Sequence, residues 1–233
     1  LLPGARAGAG PVAAAAELFN VSLGQPLAEY ALVADALALI EAAQSRPLPF
    51  LQLSGILRSP FIRGSETEQA ARAQLDAALR RRAPSTLSLA ALRKLMESGG
   101  LQRPARGCPI LQAVLDVMRA LPEARLPAVQ SPHAWSRHFA AVLTQWGFPG
   151  ERTLDSEQHQ LMAKFRESLD ALAALQWVQP RMRADEALLQ LRRIAADTLY
   201  QPEDLSGGNA PIQVLGVLES SGQHFDAIWI TGL

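Results

Sequence analysis

The apolar residues of this chain change period twice, and that double change limits the fold more than any motif does. Near the start, LFNVSL (Leu18 to Leu23) is a short apolar run closed by Gly24 and Pro26, which has the length and punctuation of a buried strand. From Glu29 to Gln44 the period becomes helical: Tyr30, Val33, Leu37 and Ile40 return every three or four residues and share one face. Helical segments follow to about Tyr200, and from Ile212 the period is extended again, through Val214 and Val217 to AIWI at Ala227–Ile230. That last run is apolar on both faces, which predicts a strand inside a sheet covered on both sides.

Between the two extended stretches the punctuation predicts roughly seven or eight helices. Pro47 and Pro49 end the first, and PFLQLSGILRSPF is a short apolar helix stopped before Pro60. The next opens at Ser65, with Glu68 at capping-box spacing, and ends in Arg80, Arg81 and Arg82, which suit a helix C-terminus. Ser88 is read as an N-cap and Gly99 as the stop of the segment between them; LQRPARGCP is then a Pro- and Gly-rich link to ILQAVLDVMRAL. In SPHAWSRHFAAVLTQWG, Ser131 is a cap, Pro132 stands at the first helical position and Gly147 is the stop. Asp155 or Ser156 opens the longest helix, expected to run to about Gln176, and a last helix from about Ala184 to Tyr200 carries Leu188, Leu191, Ile194, Ala195 and Leu199 on one side. QPEDLSGGNAP, Gln201 to Pro211, reads as a loop. The expected fold is therefore mainly α, a multi-helical inserted domain with a small β element formed by strands near both ends.

Composition excludes several functions. Lys plus Arg equals Asp plus Glu at 22 each, so no global field draws in nucleic acid, membrane or acidic ligands, and any such binding must be local. One cysteine, Cys108, leaves no internal disulfide framework or cysteine-clustered metal site, suits a reducing cytoplasm, and reads as a small core residue. No run approaches the about 20 apolar residues that span a bilayer. The first residues, interrupted by Pro3, Gly4, Arg6 and Gly8, make a poor signal peptide, and both termini read as cut from a longer protein.

Chemistry-bearing motifs are few. His133, His138, His159 and His224 lie in no local catalytic or metal motif; the spacing of five between the first two puts them on different helix faces. There is no nucleophile elbow, phosphate-binding Walker loop or dinucleotide fingerprint, and SGGLQRPARG lacks the lysine and the strand–helix context a phosphate cradle needs. No catalytic residue, metal site, cofactor or small-molecule substrate is expected. Trp135, Phe139, Val142, Leu143 and Trp146 form one helical stripe and read as core; Trp177 reads as capping a core and Trp229 as lying in the buried strand. Three arginine clusters remain as candidate phosphate contacts: Arg80, Arg81 and Arg82; Arg103 and Arg106; Arg181 and Arg183.

Ile212 to Leu233 resembles the strand–loop–strand motif late in the second RecA-like lobe of UvrD/RecB-type superfamily I helicases. Anchored on Gly222 and Phe225, the alignment puts Gly216 where that family has threonine, Leu218 for histidine, Ser221 for lysine and His224 for glutamate. FNVSLGQPLAEYALVADALALIEA resembles the passage from that lobe into an inserted helical domain, often called 2B. LSGILRSPFIRG and FPGERTLDSEQHQ are similar to stretches of AddB-like probable DNA repair proteins. The resemblance implies an inactivated helicase fragment that is no enzyme. Residues 1–24 would belong to the remnant lobe, 25–204 to the 2B-like domain, and 205–233 to the return into the lobe. It also implies work in DNA repair and recombination, with single-stranded or forked DNA, or a partner helicase subunit, as partners. The arginine clusters and the loop Glu219 to His224 are the places where contact is expected. The competing reading is a helical scaffold that braces a partner motor subunit.

Overall fold

The computed structural model describes residues 19–21, 24–44, 46–97, 101–120, 127–201 and 212–231. The expected stop at Gly99 and almost all of the 201–211 loop lie outside these residues. The chain divides into two compact units: Pro26–Thr198, and a second unit drawn from the segments flanking it on either side.

The larger unit is helical. Among the described residues its helices are α1 (Ala31–Ala43), α2 (Phe50–Arg58), α3 (Gln69–Leu79), α4 (Leu89–Met96), α5 (Gln102–Arg106), α6 (Pro109–Ala120), α7 (Pro132–Trp146), α8 (Ser156–Ala174) and α9 (Ala184–Asp197). None is long and apolar enough to cross a membrane. Two short antiparallel ladders tie the loops together: β2 (Leu48–Pro49) pairs with β3 (Thr86–Leu87), and β4 (Val129–Gln130) with β5 (Met182–Arg183). The ends of the unit meet where the Leu27 N–H donates to the Thr198 carbonyl at 2.8 Å, so the chain enters and leaves at one place.

Caps set several of the helix ends. Ser88 and Ser131 accept from the N–H groups of Ala91 and Ala134, each at 3.2 Å, and satisfy donors that a helix start leaves without intrahelical partners. Asp155 and Gln158 form a reciprocal capping box at the head of α8. Gly147 closes α7 with φ +70°; a Cβ there would lie 2.6 Å from Arg63 Cβ, so both backbone and space demand glycine.

The tryptophan stripe is core. α7 packs on α8 and α1, and Trp135, Phe139, Val142, Leu143 and Trp146 are all buried. Each such side chain contributes roughly 1.5–3 kcal/mol by leaving water. The indole N–H of Trp135 donates to the Met182 carbonyl at 2.8 Å and that of Trp146 to the Leu39 carbonyl at 3.2 Å, so neither polar tip is left unsatisfied.

Several expectations need correction. Ser65 and Glu68 form no capping box: the Ser65 hydroxyl donates to the Pro60 carbonyl at 2.9 Å, while the Glu68 carboxylate accepts from the N–H groups of Ile110 and Leu111 and caps α6 instead. Residues 102–106, read as a link, form the one-turn helix α5, because Leu101 and Ala105 find buried sites. The last helix ends at Asp197, and Leu199 is exposed, since Thr198 turns to an extended backbone (ψ 106°) and its carbonyl accepts the Leu27 N–H.

In the smaller unit, β1 (Phe19–Val21) pairs in parallel with β6 (Ile212–Val214), in the register Phe19 to Ile212 and Val21 to Val214. Parallel neighbours need a long crossover, and here the whole helical unit supplies it. The expected buried strand at Ala227–Ile230 is not found. Those residues belong to no strand, and Ile228, Trp229 and Ile230 are exposed, Trp229 at 89%. A both-faces-buried strand requires neighbours to pair with and layers to cover it, and no described strand runs beside it.

Candidate functional site

The three arginine clusters lie in the helical unit and differ in how far their charge is already used. At the end of α3, Asp76 is buried and holds Arg80 by Oδ2 at 3.0 Å, with Arg58 on the same oxygen at 3.6 Å. Arg80 also donates through Nη2 to Ser54 Oγ at 2.6 Å and lies 6.0 Å from the Phe50 ring centre. Its guanidinium therefore braces α3 against α2. Arg81 and Arg82 follow in the turn where the N–H groups of Arg82 and Ala83 fold back on the Leu79 carbonyl. Both are exposed, and neither has a carboxylate partner among the described residues. Two cations beyond a helix C-terminus are stabilised there by the helix dipole.

Arg103 and Arg106 stand exposed on α5, again without an ion pair among the described residues. α5 packs directly on α3: a Cβ at Gly107 would come within 2.8 Å of Ala71 Cβ. The first two clusters therefore belong to helices that pack on each other, with the Gly107 contact at the N-terminal turn of α3 and Arg80 to Arg82 at its other end.

The third cluster stands at the β4–β5 ladder. Arg183 Nε donates to Asp185 at 3.2 Å, and Arg46 reaches the other oxygen of the same carboxylate at 3.3 Å. Despite some desolvation, these two guanidiniums hold the Asp185 carboxyl below the ordinary carboxylate range. Arg181 is exposed and has no such partner among the described residues. Arg46, which no local pattern singled out, joins this group only through the fold.

Trp177, shortly before β5 in the chain, corrects an expectation. It is not a core cap but 84% exposed, with Val178 beside it at 86%. A signal was present: Leu161, Phe165, Leu169 and Leu172 set the buried face of α8, whose continuation falls at 175 or 176, and residue 177 is rotated about 100° from it.

The stretch expected from the resemblance to correspond to a helicase motif, Gly216 to Phe225, includes a turn in the smaller unit. The Glu219 carboxylate accepts the Gly216 N–H at 2.9 Å, the N–H groups of Glu219 and Ser220 donate to the Gly216 carbonyl, and Gly222 closes the turn at φ +80°. Leu218 is 90% exposed, Ser221 and His224 are exposed, and Phe225 is half-buried.

No catalytic constellation is assembled from the histidines among the described residues. His133 and His159 are exposed, and His138 packs edge-on against Trp135, ring centres 5.8 Å apart, where burial pushes its pKa down. Among the described residues no group of three His, Cys, Asp or Glu is placed to hold a metal ion. Cys108 is fully buried; burial first, and then the Glu68 carboxylate, push its thiol up to about 11 despite Arg72 nearby. An open groove of about 370 Å³ runs between α6 and α7, lined chiefly by Arg63, Ile110, Ala113, Val114, Val117 and Thr144. No known protein family, no curated protein and no solved structure matches the chain.

Proposed function

We propose that this chain is a non-catalytic, helicase-like module of an AddB-like DNA repair and recombination protein, whose helical unit holds or guides DNA by its phosphate backbone. The observation that carries the reading is the set Arg81, Arg82, Arg103, Arg106 and Arg181, all exposed and none neutralised by a carboxylate among the described residues. On a chain with balanced charge, such local cations are what can release counterions from a phosphate backbone. The parallel β1–β6 pair supports the helicase-like part, because it brackets a helical unit as adjacent strands of a lobe bracket an inserted domain. In the strand Ile212–Val214 the apolar Ile212 and Val214 are exposed, as they are in a strand that a further layer is to cover. In the turn at Gly216–Gly222, Leu218 cannot donate a hydrogen bond and Ser221 carries no charge, so the groups that would couple nucleotide state to DNA are missing.

The test is binding of labelled single-stranded and forked DNA across a salt series. Affinity is expected to fall steeply with salt, and Arg81→Ala with Arg82→Ala to weaken binding and flatten that slope by about 0.7 for each phosphate no longer neutralised. No binding at low salt refutes the reading. One observation favours a second reading, a scaffold that braces a partner motor subunit. The α6–α7 groove presents apolar side chains to solvent, with Val117 42% exposed. A partner subunit that binds at high salt and is lost on Val117→Glu would select it.

A further inference from the structure

The turn that follows α8 is built to hold a bare aromatic ring in solvent. Leu175–Trp177 continues α8 as a single 3₁₀ turn, and the N–H groups of Val178 and Gln179 both close on the Leu175 carbonyl, at 3.0 and 2.8 Å. A few residues on, Met182 is buried, its carbonyl takes the Trp135 indole N–H at 2.8 Å, and its strand is paired to β4. The segment is thus pinned at both ends, and the exposure of Trp177 is not that of a frayed end.

Two exposed arginines, Arg181 and Arg183, follow this turn in the chain. Arg181 has no carboxylate partner among the described residues, while Arg46 and Arg183 share Asp185 between them. Of the exposed large apolar side chains, Val178 adjoins Trp177 in the chain and the 42%-exposed Val129 lies across the ladder from Arg183. A stable protein interface buries about 800 Å² on each side around an apolar centre, and a lone indole with two valines among arginines does not supply that. A flat ring four residues before the exposed guanidinium of Arg181 matches an unpaired base with a flanking phosphate, because every base has a stacking face and needs no specific hydrogen bond.

We propose that the turn at residues 177–183 is a stacking platform for single-stranded nucleic acid, with the Trp177 indole taking one unpaired base and Arg181 the adjacent phosphate. This deepens the DNA-holding reading above and rests on it. The experiment titrates the whole chain with an oligothymidylate and with a blunt duplex of equal length, following tryptophan fluorescence and a labelled oligonucleotide. Quenching by the single strand is expected, with affinity lowered about tenfold by Trp177→Ala and largely kept by Trp177→Phe. Duplex affinity should change little. Arg181→Ala should weaken single-strand binding and reduce the salt slope by about 0.7. Because Trp177 is exposed, the variants should unfold at the wild-type temperature. Single-strand binding that responds to Arg81→Ala with Arg82→Ala but is indifferent to Trp177→Ala and Arg181→Ala overturns the platform and leaves the DNA reading standing. Equal loss of duplex and single-strand affinity in Trp177→Ala also overturns it. Absence of binding to either DNA at low salt overturns both.

Discussion

Glu68 and Arg72 form a buried ion pair, 3.0 Å from Oε2 to Nη2, and the carboxylate of that pair caps a helix 42 residues further along the chain. Glu68 accepts the N–H groups of Ile110 and Leu111 at the head of α6, while Arg72 donates on to the Arg63 carbonyl. One i,i+4 pair on α3's first turn therefore joins that helix, the 63–67 turn and α6. The anion meets the positive end of the α6 dipole, and its guanidinium partner supplies the counter-charge that burial demands.

Removing one member leaves the other buried and uncompensated. Glu68→Ala is expected to cost about 3–5 kcal/mol, read as a lower urea midpoint at unchanged m-value. Adding Arg72→Met should recover part of that loss, since the double variant no longer buries a lone charge. If Glu68→Ala unfolds within about 0.5 kcal/mol of wild type, the pair does not hold α3 to α6.

The four tryptophans divide sharply. Trp135 and Trp146 are 2% and 0% exposed, Trp177 and Trp229 are 84% and 89%. Acrylamide quenching should therefore be biphasic, with half the residues freely quenched and half protected. Trp146→Phe deletes the bond to the Leu39 carbonyl and leaves a void, and should cost about 1–3 kcal/mol. Trp177→Phe should be neutral within about 0.5 kcal/mol. A single linear quenching phase would contradict the division.

What the sequence disclosed follows from which interactions are local. Ser88, Ser131, Asp155 and Gly147 act within one turn of their own helix, and their types and spacings announce them. The Trp135–Trp146 stripe is legible for the same reason. Glu68 is the opposite case: its spacing from Ser65 suits a local box, but a partner 42 residues away takes the carboxylate, and no window on the sequence contains that competition. The chain at Ala227–Ile230 reads as buried because hydrophobicity records what a segment could bury, and the described residues offer it no neighbouring strand. For the arginine clusters, membership was legible in the chain but availability was not. Arg80 and Arg183 are held by Asp76 and Asp185, and Arg46 joins its cluster from 139 residues away.

Asp35 gives a pH prediction. It lies on α1, where burial raises its pKa above the ordinary 3.8 and the hydrogen bond from Ser59 pulls it only partly back. The folded state thus keeps a proton that the unfolded chain has released. Stability must fall as pH rises from 3.8 through the raised value, and level off above it. Asp35→Asn keeps an acceptor for Ser59 and removes that loss. Urea midpoints of the two proteins should coincide in acid and diverge towards neutral pH, the variant being the more stable. A variant less stable at neutral pH would mean that the charged form is favoured in the fold.

Cys108 gives a kinetic one. Its sulfur is fully buried at the head of α6, and burial together with Glu68 raises the thiol from 9.0 to about 11. A shift of that size lowers the reactive thiolate about 100-fold at mildly alkaline pH, and enclosure denies it a disulfide reagent in any case. Modification must then wait for opening of the α5–α6 junction, so its rate measures that local equilibrium. Native protein should react with an aromatic disulfide orders of magnitude more slowly than protein in urea. Glu68→Gln weakens the cap on α6 and removes the nearby anion, and should speed the reaction by both routes. Immediate stoichiometric labelling of the native protein would show that α5 and α6 do not close over the sulfur.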